Sequence, residues 1–259
     1  MVAVTDLQDS LERDEFKVHY QPVVGVDTGR IFGMEALVRW EHPERGPISP
    51  SKFVPSAEET GLIVPIGKLV LSEACQQAKE WQERYFSVQP LVIGVNISAK
   101  QPQHPDLLGD VEEALREAKL DPKWLTLEIT ETSVVADEEY HIDTLRRVAD
   151  LGVRFALDDF GTGYSALSYL RRLPVGLVKL DRSFVERPGE DTEDEVLVSG
   201  VIRIVSGLGL YELAEGVETP EQLAWVKSLG CDLAQGNYFS ESLPSEAAGE
   251  LLATYDYSC

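Results

Sequence analysis

Apolar residues along this 259-residue chain recur in two alternating rhythms. Short runs rich in Val, Ile and Leu give way to longer stretches with apolar positions three and four apart. The short runs predict strands over Val18–Val24, Met34–Val38, Val92–Ile97, Leu125–Ile129, Arg154–Asp158, Leu177–Leu180, Glu212–Val217 and Leu233–Phe239. The helical rhythm falls between most of them, over Gly67–Arg84, Leu107–Lys119, Glu138–Leu151, Ser165–Arg172, Glu195–Leu208, Pro220–Leu229 and Ser245–Thr254. Strands alternating with helices imply a parallel sheet covered by helices, and eight strands in about 250 residues suit a closed barrel. One join breaks the pattern. Between Val24 and Ile31 lies only a turn-rich stretch with Val26-Asp27-Thr28-Gly29, too short for a parallel crossover, so the first two strands should pair as an antiparallel hairpin. The expected fold is α/β: a modified (β/α)8 TIM-type barrel with one antiparallel strand from an N-terminal hairpin.

Thr5-Asp6-Leu7-Gln8 reads as an N-cap with a capping box, opening an amphipathic helix through Leu11. No composition shift or linker divides the chain, and even the loop-like stretch Glu186–Glu195 is flanked by the same alternation. A single domain over residues 1–259 follows: an N-terminal helix and junction at 1–16, a barrel core at 17–244, and a C-terminal helix and tail at 245–259.

Charge narrows the partners. With 45 acidic against 23 basic residues and a formal charge of -22, the chain lacks the clustered Lys and Arg that grip DNA or RNA. No apolar run approaches the roughly 20 residues of a membrane span, and Met1–Phe16 holds no signal-type stretch. Cys75, Cys231 and Cys259 are far apart and form no CxxC, as expected of reduced thiols in a cytoplasmic compartment. His19, His42, His104 and His141 make no HxxxH pair and no Cys/His cluster, which argues against structural zinc.

Parallel barrel strands are buried on both faces and should be continuously apolar. Here nearly every strand is interrupted: Glu35 in the second, Asn96 in the third, Glu128 in the fourth with Glu131 just beyond, Asp158 and Asp159 closing the fifth, then Lys179, Glu215 and Gln235. A buried, unpaired carboxylate costs several kcal/mol or takes up a proton. Five carboxylates around one mouth exceed what one lysine can neutralise, and a divalent cation answers the imbalance. Carboxylate and amide oxygens without soft ligands suit Mg²⁺ or Mn²⁺. Two such ions about 4 Å apart could clamp the attacking and leaving oxygens of a phosphodiester. Lys179 could orient the attacking hydroxide or neutralise the developing oxyanion, or serve as a structural counter-ion to Glu215 or Asp158. Asp158 and Asp159 point to opposite sides of an ideal strand, so only a twisted strand end can join them in one cluster.

Gly161-Thr162-Gly163-Tyr164-Ser165-Ala166 contains G-x-G-x-x-A, with Asp181 about 20 residues on, which keeps a dinucleotide-dependent oxidoreductase in view. Two aspartates immediately before the glycines would repel an unaccompanied pyrophosphate, and the bland alternative is a tight strand-to-helix turn. There is no G-x-S-x-G for a serine hydrolase.

Nine ordered motifs resemble the EAL-domain family. They are Tyr20-Gln21-Pro22, Glu35-Ala36-Leu37-Val38-Arg39-Trp40, Phe53-Val54-Pro55, Glu59-Thr60-Gly61, Val95-Asn96-Ile97-Ser98, Glu128-Ile129-Thr130-Glu131, Asp158-Asp159-Phe160-Gly161-Thr162-Gly163-Tyr164-Ser165, Val178-Lys179-Leu180-Asp181, and Ala214-Glu215-Gly216-Val217-Glu218 with Gln235-Gly236. The resemblance implies a bacterial phosphodiesterase that linearises cyclic di-GMP to pGpG with Mg²⁺ or Mn²⁺, calcium being inhibitory. It implies a first metal held by Glu35, Asn96, Glu128 and Asp158, and a second bridged by Asp158 and supported by Asp159. Glu215 would bind directly or through water, and Lys179 would sit beside the attacking water. Gln21 and Arg39 would contact the ligand, Glu218 and Gln235 ligand or water, and Glu131 would hold the loop Phe160–Ser165. Some members of the family are catalytically silent cyclic di-GMP receptors, but they usually lack part of this set. The resemblance also implies a homodimer formed near the loop after Asp159, and linkage to sensor, receiver or GGDEF domains. One departure is Ser242, where the family commonly has proline; it should touch only the end of the barrel.

Overall fold

The computed structural model describes residues 4–85, 91–130, 139–161, 175–186 and 192–255. Its strands are β1 (Phe16–Gly25), β2 (Ile31–His42), β3 (Gly46–Ile48), β4 (Val92–Ile97), β5 (Leu125–Thr130), β6 (Arg154–Phe160), β7 (Val175–Leu180), β8 (Tyr211–Ala214), β9 (Leu233–Gln235) and β10 (Leu243–Pro244). The described helices are α1 (Val4–Glu12), α2 (Pro50–Thr60), α3 (Ile63–Tyr85), α4 (Leu107–Ala118), α5 (Glu139–Asp150), α6 (Thr192–Gly207), α7 (Pro220–Ser228) and α8 (Ser245–Thr254).

The sheet runs β10-β1-β9-β8-β7-β6-β5-β4-β2-β3, and β1 also pairs with β2, so eight strands close into a barrel. Strands β2 and β4 through β9 run parallel, while β1 lies antiparallel to both β2 and β9. The expected barrel with a reversed hairpin strand is what forms. Alternation along β1 separates two environments: Val18, Tyr20 and Val24 are buried, and Tyr20 meets Trp81 of α3 edge-on at 4.7 Å between ring centroids. The other face carries Gln21 and Val23 to the barrel interior.

A second apolar cluster of Leu7, Phe16, Trp40, Phe53, Ala57, Ile63 and Ile66 clamps α1 and α2 onto the end of the hairpin. Glu15 is buried there and accepts hydrogen bonds from Ser10 Oγ at 2.5 Å and Trp40 Nε1 at 3.2 Å.

Some boundaries differ from expectation for identifiable reasons. Val4 is already helical, so Thr5 lies inside α1 and does not cap it. Helix α2 escaped the periodicity because it holds Pro50 and Pro55; Pro50 sits at the helix start, where its missing N–H costs nothing. Strands β8 and β9 stop short of Val217 and Phe239. Gly236, at φ 154°, turns the chain so tightly that a Cβ there would lie 2.1 Å from the Val217 carbonyl oxygen. That close approach lets Val217 N donate to Gln235 O and Tyr238 N donate to Val217 O, each at 3.0 Å. The expected helix Ser165–Arg172, the Glu131 position and Cys259 lie outside the described residues. No described helix is long and apolar enough to cross a membrane.

Glu212 of β8 is wholly buried. Ser206 Oγ donates to its Oε1 at 2.6 Å, and its Oε2 has no hydrogen-bond partner. Burial first, then the neighbouring Asp232, outweigh the Ser206 hydrogen bond and push the Glu212 pKa up to about 7. The folded protein therefore keeps this proton up to about pH 7 while the unfolded chain loses it near 4.5, so stability falls as pH rises across that window. Glu212→Gln cannot ionise. It should be more stable than the parent chain by about 3 kcal/mol at pH 8, with the gap closing toward pH 5. Urea melts at the two pH values test this, and a gap independent of pH would contradict it.

Candidate active site

At the mouth formed by the C-terminal ends of the parallel strands, the interrupting side chains meet around Lys179. This lysine, on β7, is 1% exposed. Its Nζ lies 2.5 Å from Glu128 Oε2, 2.7 Å from Glu215 Oε1, 3.4 Å from Asp158 Oδ1 and 3.5 Å from Glu35 Oε2. Three strands and the residue just past the end of β8 thus each deliver one carboxylate to a single ammonium. Glu35 is held from its other side by amides: Asn96 Nδ2 donates to Oε1 at 2.6 Å, and Gln235 Nε2 donates to Oε2 at 2.7 Å. Gln235 Nε2 also reaches Gln21 Oε1 at 3.1 Å, while Gln235 Oε1 is buried with no partner.

Asp158 and Asp159 reach one cluster through a β-bulge. On β6, Leu157 is opposite Val178 and Phe160 opposite Leu180, so three steps on one strand match two on the other. Asp159 absorbs the extra residue at φ 54°, a left-handed conformation that aspartate tolerates better than most side chains. Asp159 N donates to Asp158 Oδ1 at 2.9 Å. As a result, carboxylate oxygens of Asp158, Asp159 and Glu215 all lie within 4.8 Å of one another.

The electrostatics are short of positive charge. Burial lowers the Lys179 pKa, but the charges of Glu128, Glu215, Glu35 and Asp158 more than reverse this and hold it as an ammonium. Burial and the charge of Glu35 push Glu128 well above the carboxylate range despite Lys179. Glu215 rises to about 7 through burial, with Asp158 and Glu35 adding to the effect. Asp159 rises through burial and the Asp158 charge. Glu35 falls instead, because Lys179 and the Gln235 and Asn96 hydrogen bonds overcome its burial. Crowded oxygen donors, one orphaned amide oxygen and a deficit of positive charge fit a hard divalent cation.

Beside this cluster opens a cleft of about 530 Å³, lined by Glu35, Leu37, Arg39, Val54, Glu58 and Asn96 among others. Its floor is braced by the segment after β4, where Ser98 Oγ donates to Glu58 Oε1 at 2.6 Å and Ser98 N donates to Gln101 Oε1 at 3.0 Å. Arg39 is half-buried in its wall. Of the residues expected at the site, Glu35, Asn96, Glu128, Asp158, Asp159, Lys179, Glu215, Gln21 and Gln235 come together. Glu218 is exposed at the start of α7, where its backbone N donates to Gln222 Oε1 at 2.7 Å. Asp181 accepts from Ser183 N at 3.0 Å and so caps a turn. That contact and the closed barrel remove the dinucleotide-fold reading of the Gly161 motif, since a Rossmann site needs an open sheet with a switch point.

A family model of the EAL domain matches residues 4–242. The chain belongs to the EAL-domain family. Among EAL proteins it is 42% identical over 249 residues to the bifunctional diguanylate cyclase/cyclic di-GMP phosphodiesterase MucR of Pseudomonas aeruginosa, covering 96% of this chain and 36% of that protein. It is 37% identical to the cyclic di-GMP phosphodiesterase NbdA of the same organism, covering 97% of this chain and 32% of NbdA. The chain thus spans about a third of the length of these curated relatives. The solved PaMucR phosphodiesterase in complex with c-di-GMP superposes with a TM-score of 0.89 at 41% identity, over 95% of this chain and 98% of that one. The EAL domain of FimX from Pseudomonas aeruginosa, bound to c-di-GMP, gives 0.83 at 25% identity, over 93% of this chain and 96% of that one.

Sequence reasoning missed Gly94. A Cβ there would lie 2.1 Å from Glu128 Oε1, so the missing side chain is what leaves room for that carboxylate beside Lys179. A glycine inside a strand is a signal of such close approach. Gly94→Ala should keep the fold, because the end of a flexible Glu128 can move, yet weaken Mn²⁺ binding at least tenfold by calorimetry. Unchanged affinity in a folded variant would contradict this.

Proposed function

We propose that this EAL domain hydrolyses cyclic di-GMP to linear pGpG in bacterial second-messenger signalling. The observation that carries the reading is the ring of four carboxylates around the buried Lys179, extended by Asp159, in a chain of this family. Glu35, Asn96, Glu128, Asp158, Asp159 and Glu215 would hold Mg²⁺ or Mn²⁺ in a two-metal arrangement, with Ca²⁺ binding unproductively. When bound, the cations polarise a phosphate oxygen and activate water. Lys179, fixed as an ammonium, orients the attacking water and counters charge building on the phosphoryl oxygens. Water adds to phosphorus, the P–O3′ bond breaks, and the ribose O3′ leaves with a proton. Gln21 and Arg39 grip the cyclic dinucleotide, and Gln235 and Glu218 serve ligand or water. The domain acts in the cytoplasm, joined to sensor, receiver or GGDEF domains in a longer protein.

Incubation of the purified chain with cyclic di-GMP and Mg²⁺ or Mn²⁺, followed by chromatography, should yield pGpG. A chelator should abolish the product, and Glu35→Ala should reduce turnover at least about 100-fold with the fold retained. Intact ligand with tight binding would replace the enzyme by a catalytically silent receptor.

The domain also forms a homodimer. Its exposed large apolar side chains among the described residues are Val196, Leu197, Ile204, Leu208 and Tyr211, all on α6 or just after it. From Val196 to Tyr211 the only charged residue is Arg203. Two copies carrying -22 each repel except where charge is absent, and this face belongs to the helix that packs on β8. Sedimentation should show a concentration-dependent dimer that Ile204→Glu converts to monomer. A parent chain that is monomeric at every concentration would exclude it.

A further inference from the structure

The segment leaving β9 returns along the mouth of the barrel until β10 anchors it on β1, with Leu243 opposite Tyr20 and Pro244 opposite His19. Because β1 runs against the other strands, its first half lies at the mouth, and this returning segment runs beside it. Two residues assigned to the ligand are tied to it. Gln21 Nε2 donates to Ser240 O at 3.1 Å, and Arg39 Nη2 donates to Ser242 Oγ at 2.7 Å. Arg39 Nη1 also donates to Val38 O at 2.9 Å. Ser242 is the position where the family commonly has proline, whose side chain can accept nothing. The expectation that this departure touches only the end of the barrel is therefore incomplete, because the serine hydroxyl holds a wall of the ligand cleft.

A guanidinium has five N–H donors in a planar fork, and these two contacts leave three for a ligand. Arginine is among the side chains that lose most rotamer freedom when fixed. An arginine already fixed in the free protein lowers the ordering cost of binding. We propose that Ser242 is a positioning residue that presets Arg39 for the paired acceptors of the cyclic dinucleotide. This rests on Arg39 gripping the ligand, as assigned above.

Calorimetry of cyclic di-GMP with Ca²⁺, together with steady-state kinetics with Mg²⁺, tests it on the parent chain, Ser242→Ala and Ser242→Thr. Ser242→Ala should raise Kd and KM about three- to tenfold with kcat within twofold, as the ordering cost of one rotamer-rich side chain implies. Ser242→Thr, which keeps the hydroxyl, should restore both. In an Arg39→Ala background, Ser242→Ala should add nothing further. A Ser242→Ala chain that binds as tightly as the parent overturns the proposal alone. So does a threonine variant that fails to restore binding, or a further loss on the Arg39→Ala background. A parent chain that neither binds nor cleaves cyclic di-GMP removes the functional reading, and this proposal with it.

Discussion

One buried ammonium organises the mouth of this barrel. An ammonium stripped of water is costly by several kcal/mol unless its donors are met, and Lys179 is all but sealed. Glu35, Glu128 and Asp158 meet it from three strands, and Glu215 from just past the end of β8. The converse also holds, since four carboxylates could not crowd so closely without a cation between them. Yet one ammonium cannot balance four carboxylates with Asp159 as a fifth, and the shortfall shows in the raised pKa values of Glu128, Glu215 and Asp159. The parallel strands, buried on both faces, hold each backbone too firmly for the carboxylates to spread apart. Rigidity of the barrel thus converts a local excess of negative charge into a demand for cations.

The reversed strand and the long second strand carry the ligand side. Glu35, Leu37 and Arg39 alternate onto one face of β2, so Arg39 lies about 13 Å beyond Glu35 along an extended strand. That distance takes it past the rim of the metal cluster and into the wall of the cleft. A strand that overshoots its barrel needs its own support. Trp40, next to Arg39, is buried against Phe16 and Phe53, with ring centroids 5.5 Å and 5.6 Å apart. The satellite core formed with α1 and α2 therefore braces the part of β2 that meets the ligand, and the Ser242 contact secures the side chain itself.

Much of this was legible in the chain. Barrel and hairpin followed from alternating periods and one join too short for a crossover. The site residues betrayed themselves as polar interruptions in strands that ought to be apolar, because burial without a partner is costly at Glu35, Glu128 or Lys179. What escaped depends on geometry between residues distant in sequence. The bulge that unites Asp158 with Asp159 is a register shift against β7, invisible in β6 alone. Gly94 matters only because Glu128 of the next strand leans over it, and Ser242 only because Arg39, 203 residues away, reaches it. Helix α2 was hidden by two prolines, and β9 ends where Gly236 comes up against Val217, a contact between segments that neither shows alone.

These features bear on how folding and cation binding are linked. In the unfolded chain the five carboxylates are far apart and fully hydrated, so they neither repel nor offer a site. Folding brings them together, and part of the stabilisation from apolar burial offsets that repulsion. A divalent cation that binds the folded mouth and not the unfolded chain relieves it, and stabilises the fold by mass action in proportion to its affinity. The repulsion and the affinity are then one property seen from two sides. A mouth relaxed by spreading the carboxylates, or by neutralising one, would fold more easily and hold its ions less well. Buried strands, a bulge at Asp159 and an empty Cβ position at Gly94 all keep the oxygens close, which is the arrangement that favours the ions over the ease of folding.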